Sequence, residues 1–255
     1  MRDIIIDNLK RIEETENVRI LMAVESGSRA WGFASPDSDY DVRFIYARPV
    51  EEYLRLEELR DVIELPINDM LDINGWDINK TLRLLYRSNP TLFEWASSPI
   101  VYLDDGFLEV FRPILPKYFH SKKGLYHYLN MAKSNYREYL KGETVRAKKY
   151  FYVLRPILAC KWILDRHTPP PMLFSELAEA ELDSVLKPEV DRLLDLKMNV
   201  PELKLIPRID VVNRYLDESI ESVEQALGQL SEEPLNDWTE LNKLFRERIG
   251  FTQKG

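Results

Sequence analysis

Gly27-Ser28, a spacer of ten residues, and then Asp39-Tyr40-Asp41-Val42-Arg43-Phe44 form the stretch that decides the predicted fold. The second segment predicts a strand, and alternate side chains of a strand point to the same face. Asp39 and Asp41 are therefore expected side by side, with the residues between and after them facing a core. Two adjacent carboxylates repel each other unless a hard divalent cation lies between them and a bound polyphosphate. The stretch therefore predicts a site for metal-bound phosphate.

The composition limits the possible classes of protein, but it does not identify a reaction. The 255 residues suffice for one large domain or two modest ones, each with a substantial core. A formal net charge of -8 argues against a general basic surface that coats nucleic acid. It leaves room for a local basic groove.

Cysteine usage and hydropathy indicate the cellular compartment in which the protein is expected. The single cysteine, Cys160, excludes an internal disulfide framework and a cysteine-rich zinc site, and it is predicted to be a small buried hydrophobe. The chain begins without a basic and apolar leader, and its apolar runs fall short of the ~20 residues that a membrane span needs. We expect a soluble cytoplasmic protein with no membrane partner and no disulfide-linked partner.

The spacing of apolar residues divides the chain into two parts. In the first part, Ile4 to Glu14 predicts an amphipathic helix, and Asp77 predicts the N-cap of another. Predicted strands run over Val18–Val24, Asp39–Tyr46, Val62–Leu65, Met70–Ile73 and Ile100–Tyr102. From about Ser121 onward helical spacing prevails. The prediction is an α+β protein with a catalytic domain over residues 1–117 and an all-helical domain over residues 118–255.

The glycine-serine turn has the chemistry of a phosphate-binding loop. Gly27 lets the backbone approach a phosphate closely, because it has no side chain. Ser28 offers a hydroxyl and a backbone N–H to the β- or γ-phosphate oxygens, and Arg29 offers the forked donors of a guanidinium. These three residues are predicted to bind a nucleoside triphosphate, next to the acidic pair.

A third carboxylate is expected to complete the metal site with Asp39 and Asp41. Asp72 alternates with buried Leu71 and Ile73, so it is expected on the same open face as the acidic pair. Asp77 is the alternative, although an N-cap role explains it fully. Glu64 is a weaker candidate because its strand is short. We predict Asp39, Asp41 and Asp72 as the catalytic and metal-binding acids, with Asp77 as the alternative third ligand.

A basic stretch in the helical half is a second candidate for binding the triphosphate. Lys148, Tyr152 and Arg155 share one face of a predicted helix, and Lys149 is adjacent. Such a stripe can bind phosphate oxygens and stack on a base. The alternative is a solvated helix face with a tyrosine packed beneath it.

The motif resembles the signature of the polymerase-beta-type nucleotidyltransferase superfamily, with Ser26 standing where an apolar residue is usual. Longer blocks are similar to the YcgL-type family of predicted nucleotidyltransferases: Gly27–Phe33, Ser35–Arg43, Asp72–Asp77, Ser88-Asn89-Pro90, Glu94-Trp95, Lys148–Tyr150 and Leu154–Pro156. The resemblance implies a polymerase-beta-like domain, with a short mixed sheet and helices on one face, followed by the helical domain. It also implies transfer that depends on magnesium and a nucleotide. Some family members are associated with phage-type RNA ligase.

The leading hypothesis is therefore an enzyme that moves a nucleoside monophosphate from a triphosphate such as ATP to an acceptor and releases pyrophosphate. Two magnesium ions are the expected cofactors. The acceptor is an RNA end, a protein or a small molecule, and Asp41 or Asp72 is the candidate general base. The alternatives are a non-catalytic nucleotide-sensing module and an accessory protein of RNA repair that retains the fold.

Overall fold

A computed structural model describes residues 1–66, 70–199, 205–231, 233–234 and 236–251. The chain forms two compact units. The first unit comprises Met1–Gly27, Asp39–Tyr118 and Pro234–Gly255, and the second comprises Ser28–Ser38 and Phe119–Glu233. The predicted division at residue 117 stays a prediction, and it differs from these units in where residues 28–38 and 234–255 belong.

Helices and strands alternate in the first half of the chain, and helices prevail in the second. In chain order the helices are α1 (Arg2–Glu16), α2 (Gly27–Ala30), α3 (Ile78–Tyr86), α4 (Pro90–Ala96), α5 (Phe107–Phe111), α6 (Leu115–Tyr118), α7 (Ser121–Tyr139), α8 (Ala147–Arg166), α9 (Phe174–Glu181), α10 (Lys187–Asn199), α11 (Asp210–Gln229) and α12 (Thr239–Arg248). The strands are β1 (Arg19–Glu25), β2 (Tyr40–Ala47), β3 (Val62–Glu64), β4 (Leu71–Asp77), β5 (Val101–Asp104), β6 (Thr144–Arg146) and β7 (Leu205–Pro207). Short 3₁₀ helices cover Val50–Leu54 and Arg112–Ile114.

The first unit is built on a five-stranded mixed sheet of order β3-β4-β2-β1-β5. The β2–β4 pair is parallel, and the other pairs are antiparallel. The register of the parallel pair sets Asp41 opposite Asp72 and Tyr46 opposite Asp77. The prediction of an α+β protein with a mixed sheet is confirmed.

One face of this sheet carries the predicted core. Val42 and Phe44 are completely buried, and they share a cluster with Ile5 and Leu9 of α1. The alternation in β2 is therefore confirmed, since its apolar residues point inward and Asp41 lies between them on the strand. Asp39 is exposed and directly precedes β2, whereas the sequence predicted that it begins the strand.

The last segment of the chain also belongs to the first unit. Trp238 stacks on Tyr86 with ring centroids 3.7 Å apart, and Phe245 of α12 meets Tyr53 edge-on at 5.2 Å. The Lys117 ammonium lies 2.8 Å from the Glu240 carboxylate. These contacts hold Pro234–Gly255 in the first unit, although the sequence assigned them to the helical domain.

The second unit is helical except for one small sheet. Its core includes Phe151, Leu154 and Leu158 of α8, all fully buried. Cys160 is buried there as predicted, and burial raises the pKa of its thiol. The expectation of an all-helical part needs one correction, because β6 and β7 form a two-stranded antiparallel sheet. Helix packing does not satisfy the backbone of these extended segments, and pairing with each other does.

None of the helices within the described ranges combines the length and the apolar character that crossing a membrane requires.

Asp77 caps α3 from a buried position at the end of β4. Its Oδ1 accepts a hydrogen bond from the Asn79 backbone N–H at 2.7 Å, and its Oδ2 accepts one from the Tyr53 hydroxyl at 3.0 Å. Only 4% of the residue is exposed. The predicted N-cap is confirmed, and its geometry makes Asp77 a structural anchor of the first unit.

Replacing this cap should destabilise the protein. We expect Asp77→Ala to lower the free energy of unfolding by about 2 kcal/mol, because one helix donor and the Tyr53 hydroxyl lose their acceptor. Asp77→Asn should cost less than half as much, since its amide oxygen still caps α3. Asp61→Ala is the control, because Asp61 is an exposed partner of Lys80 and should change the value by under about 0.5 kcal/mol. Urea unfolding measures all three, and equal effects of the two alanine variants would contradict the prediction.

Candidate active site

Gly27 and Asp41 are in close contact at the end of β1. The Ser26 backbone N–H donates to the Asp41 carbonyl at 2.8 Å, which ties the turn to β2. Gly27 has a φ of +59°, and a Cβ built there would lie 2.0 Å from Asp41 Oδ2. The sequence assigned this glycine to the approach of a phosphate. That role stays a prediction, and the structure adds a second requirement for glycine, because the Asp41 carboxylate fills the space that a side chain would need.

Asp41 and Asp72 share one positively charged neighbour. Arg43 Nη2 donates to Asp72 Oδ2 at 2.7 Å and to Asp41 Oδ1 at 3.1 Å. Arg43 Nη1 donates to the Val42 and Asp72 carbonyls, both at 3.1 Å. The guanidinium therefore bridges β2 and β4 as well as the two carboxylates. Our sequence analysis gave Arg43 no role, although it continues the alternation that sets Asp39 and Asp41 on one face.

Charge and burial act against each other at Asp41. Burial raises the pKa of the Asp41 carboxyl above its ordinary value, and the Arg43 guanidinium partly lowers it. The neighbouring carboxylates of Asp39 and Asp72 raise this pKa further. Asp39 is exposed and precedes Asp41 by two residues in the sequence. We call Asp39, Asp41 and Asp72 the acidic cluster from here on.

Glu25 is a buried carboxylate that the sequence analysis missed. Its Oε1 accepts a hydrogen bond from the Asp41 backbone N–H at 2.7 Å, and its Oε2 accepts one from the Tyr102 hydroxyl. The residue has no exposed surface. The sequence did contain a signal for Glu25, because it is the one acidic residue at the end of the apolar run of β1. Glu25 fixes the backbone of Asp41 rather than facing a ligand itself.

The geometry separates the candidates for a third acid. Asp72 lies opposite Asp41 in the parallel register, whereas Asp77 lies five residues further along β4, about 16 Å away at 3.3 Å per residue. The Asp77 carboxylate already bonds Asn79 and Tyr53. About half of the Glu64 side chain is exposed, and its carboxylate accepts hydrogen bonds from Asn74 and Arg60. Asp72 is therefore the candidate that lies beside Asp41.

The acidic cluster has the chemistry of a divalent cation site, although the side chains do not converge as a cage. Within the described ranges, no three acidic, histidine or cysteine side chains are grouped as metal ligands. Instead, the Asp41 and Asp72 carboxylates converge on the Arg43 guanidinium. Their hard oxygen atoms suit magnesium, and the guanidinium occupies a position where positive charge is favourable. The carboxylate oxygens thus suit magnesium by their chemistry, and in this structure they bind the Arg43 guanidinium.

The other residues predicted to bind phosphate belong to the second unit. Ser28 lies in α2, and its carbonyl accepts a hydrogen bond from the Phe33 N–H at 3.1 Å. Arg29 Nη2 donates to the Ser38 carbonyl at 2.6 Å, so Arg29 fastens the loop that leads into Asp39. The buried Lys197 ammonium reaches the same loop at the Ser35 hydroxyl, 2.9 Å away.

The basic stretch of α8 is only partly accessible. The Lys149 ammonium lies 3.6 Å from the Tyr139 ring centroid and 4.5 Å from that of Tyr152. Arg155 is only 2% exposed and lies over the Trp31 ring at 4.7 Å. The partly exposed residues of this stretch are therefore Lys148, Lys149 and Tyr152. Arg155 packs inside the second unit. The role predicted for these four residues stays a prediction.

Comparisons with known proteins agree on one family. The model of a family described as "RlaP: RNA repair pathway DNA polymerase beta family" matches residues 1–247. The "Uncharacterized protein YcgL" of Bacillus subtilis (strain 168) is 50% identical over 251 residues, which cover 98% of this chain and 96% of that protein. A crystal structure of a nucleotidyltransferase-like protein from Exiguobacterium sibiricum 255-15 is 13% identical and covers 93% of this chain and 77% of its own, with a TM-score of 0.31. That TM-score is too low to support an argument.

A side chain at residue 27 should disturb the acidic cluster. We expect Gly27→Ala to lower the free energy of unfolding by about 2 kcal/mol or more, because of its positive φ and the collision with Asp41. Gly228→Ala is the control, since a Cβ there meets nothing within 4 Å and alanine favours the helix by up to about 1 kcal/mol. Urea unfolding compares the two. A Gly27→Ala protein as stable as the wild type would contradict the close contact.

The raised pKa of Asp41 predicts a pH dependence of stability. In the interval between the unfolded and the higher folded pKa, the folded state binds more protons, so the contribution of Asp41 to stability falls as pH rises. Asp41→Asn removes this titration. The free energy of unfolding of the variant, minus that of the wild type, should therefore increase as pH rises through this interval. Urea unfolding in EDTA across this range tests the sign, and a decrease would contradict it.

Proposed function

This chain belongs to the RNA repair pathway DNA polymerase beta family, as its motifs predicted, and from that premise we propose that it is a magnesium-dependent nucleotidyltransferase. It moves a nucleoside monophosphate from a nucleoside triphosphate to an acceptor and releases pyrophosphate. The observation that carries the proposal is the pairing of Asp41 with Asp72 across two parallel strands, with the Asp41 carboxylate in contact with Gly27.

The acidic cluster would hold the metal. Asp41 and Asp72 offer converging carboxylate oxygens, and Asp39 adds the third negative charge from the residue that precedes β2. When bound there, magnesium would neutralise the triphosphate and polarise the phosphorus that is attacked.

The remaining tasks fall to the residues of the chain. Glu25 and Gly27 hold Asp41 at the end of its strand, so that its carboxylate faces the site. Asp41 or Asp72 accepts the proton of the acceptor hydroxyl as the general base. For the second unit taken by itself, we propose that Ser28, Arg29, Lys148 and Lys149 bind phosphate oxygens and that Tyr152 stacks on a base.

An RNA end is the acceptor that we favour. The family description places its members in an RNA repair pathway, and adding a nucleotide to a strand end is a reaction of that class. A protein side chain or a small molecule remains the alternative acceptor. With a net charge of -8, the protein has to recognise RNA through local basic groups rather than through its overall field.

The competing proposal is a non-catalytic module that senses a nucleotide or assists an RNA ligase. A non-catalytic module does not need two partly buried carboxylates held opposite each other on neighbouring strands. It also does not need a glycine that leaves room for one of them. Both features are present here, and they favour catalysis.

Substitutions in the acidic cluster should separate a catalytic role from a structural one. We expect Asp41→Asn and Asp72→Asn to lower the rate of transfer by at least about a hundredfold, because loss of a ligand removes several kcal/mol of charge stabilisation. Asp77→Asn should keep most of the rate, as should Asp61→Asn, a surface control. The assay offers each nucleoside triphosphate, labelled on the α-phosphate, with magnesium or manganese. Acceptors are RNA with different ends, protein and aminoglycosides.

Three outcomes would each contradict part of the proposal. Asp41→Asn and Asp72→Asn proteins that release pyrophosphate at the wild-type rate would exclude the acidic cluster as the metal site. Loss of transfer in Asp77→Asn but not in Asp72→Asn, with both proteins folded by circular dichroism, would identify Asp77 as the ligand. Binding of a labelled triphosphate without any transfer to any acceptor would favour the sensing module.

A further inference from the structure

Arg43 occupies the place between the two carboxylates that the proposed function reserves for a divalent cation. Its Nη2 donates hydrogen bonds to one oxygen of Asp72 at 2.7 Å and to one oxygen of Asp41 at 3.1 Å. Only 19% of the side chain is exposed, so water screens these contacts weakly. The guanidinium therefore neutralises one of the three charges of the acidic cluster without any metal.

The two ends of the guanidinium have different partners. Nη1 is held by the Val42 and Asp72 carbonyls, which are parts of the sheet and cannot leave. Nη2 is held by carboxylate side chains, which can rotate. Arg43 is therefore anchored to the backbone through one nitrogen, while the other nitrogen is able to exchange one anionic acceptor for another.

A divalent cation and the Arg43 fork compete for the same oxygens. A cation that binds Asp41 Oδ1 and Asp72 Oδ2 has to displace Nη2 from both, and it then lies close to an anchored positive charge. A triphosphate relieves this repulsion, because its oxygens accept hydrogen bonds from Nη2 and add negative charge. A guanidinium fork suits a phosphate as well as a carboxylate.

We infer that Arg43 is a resident counter-ion that makes metal binding and triphosphate binding depend on each other. Without nucleotide, Arg43 holds the carboxylates and opposes the cation. With nucleotide, Nη2 moves to a phosphate oxygen, and the carboxylates are released to the metal. This inference rests on the proposed function, because it assumes the metal site at Asp41 and Asp72. Since coupling between two ligands is reciprocal, the metal strengthens triphosphate binding by the same factor.

Binding of Mn²⁺ without catalysis tests the inference. Titration calorimetry and electron paramagnetic resonance measure Mn²⁺ affinity with and without α,β-methylene analogues of the four common nucleoside triphosphates. We expect Arg43→Gln to bind Mn²⁺ alone about tenfold more tightly than the wild type, since one positive charge near the ligands is gone. The gain in Mn²⁺ affinity on adding the analogue should shrink by about the same factor.

Matched variants separate this role from a general effect of charge or folding. Arg55→Gln removes an arginine that makes surface ion pairs with Glu52 and Glu57 in the same unit, and it should leave both affinities unchanged. Arg43→Lys keeps the charge but cannot bond both carboxylates and both carbonyls. It should bind Mn²⁺ alone about threefold more tightly than the wild type, and it carries the test if Arg43→Gln fails to fold.

The outcomes distinguish failure of the inference from failure of the proposed function. Equal Mn²⁺ affinities of the wild type and the Arg43 variants, with nucleotide-dependent binding intact, would overturn the counter-ion role and leave the metal site standing. Absence of Mn²⁺ binding in every variant, even with the analogues, would overturn both. Weaker Mn²⁺ binding in Arg43→Gln without nucleotide would show that Arg43 supports the cation rather than opposing it.

Discussion

The parallel pairing of β2 with β4 is the constraint on which the candidate site depends. This register sets the Cα atoms of Asp41 and Asp72 opposite each other, so their carboxylates have to share a small space despite their repulsion. Arg43, two residues further along β2, bonds both carboxylates and two carbonyls. Glu25 and Gly27 then fix Asp41 from the neighbouring strand. The pairing of the strands therefore determines where the side chains of the site lie.

Much of this arrangement follows from local sequence patterns. Alternation in β2 and β4 is a property of a strand alone, and it correctly predicted the buried face and the nearness of Asp72 to Asp41. The cap at Asp77 also follows from local chemistry, since a carboxylate before a helix accepts a free backbone N–H. The buried face and the cap need no knowledge of distant parts of the chain, whereas the nearness of Asp72 to Asp41 also requires that β4 pair with β2.

Other features depend on contacts between distant residues, which the patterns do not contain. Helical spacing placed Arg155 on a face with Lys148 and Tyr152, but packing against Trp31 buries Arg155. Residues 234–255 have the spacing of an ordinary amphipathic helix, and their membership of the first unit depends on aromatic partners such as Tyr86. The role of Arg43 arises only once β4 lies beside β2. In each case, the deciding neighbour is far away along the chain.

The discontinuous first unit has a consequence for the order in which the protein matures. Trp238 and Phe245 complete aromatic pairs with Tyr86 and Tyr53, so these contacts form only after nearly the whole chain has been synthesised. Domains made first usually fold first during translation. Here the first unit lacks these contacts until the segment from residue 234 onward is made, whereas every residue of the second unit emerges earlier. A ribosome that stops before residue 234 therefore releases a sheet without its final helix.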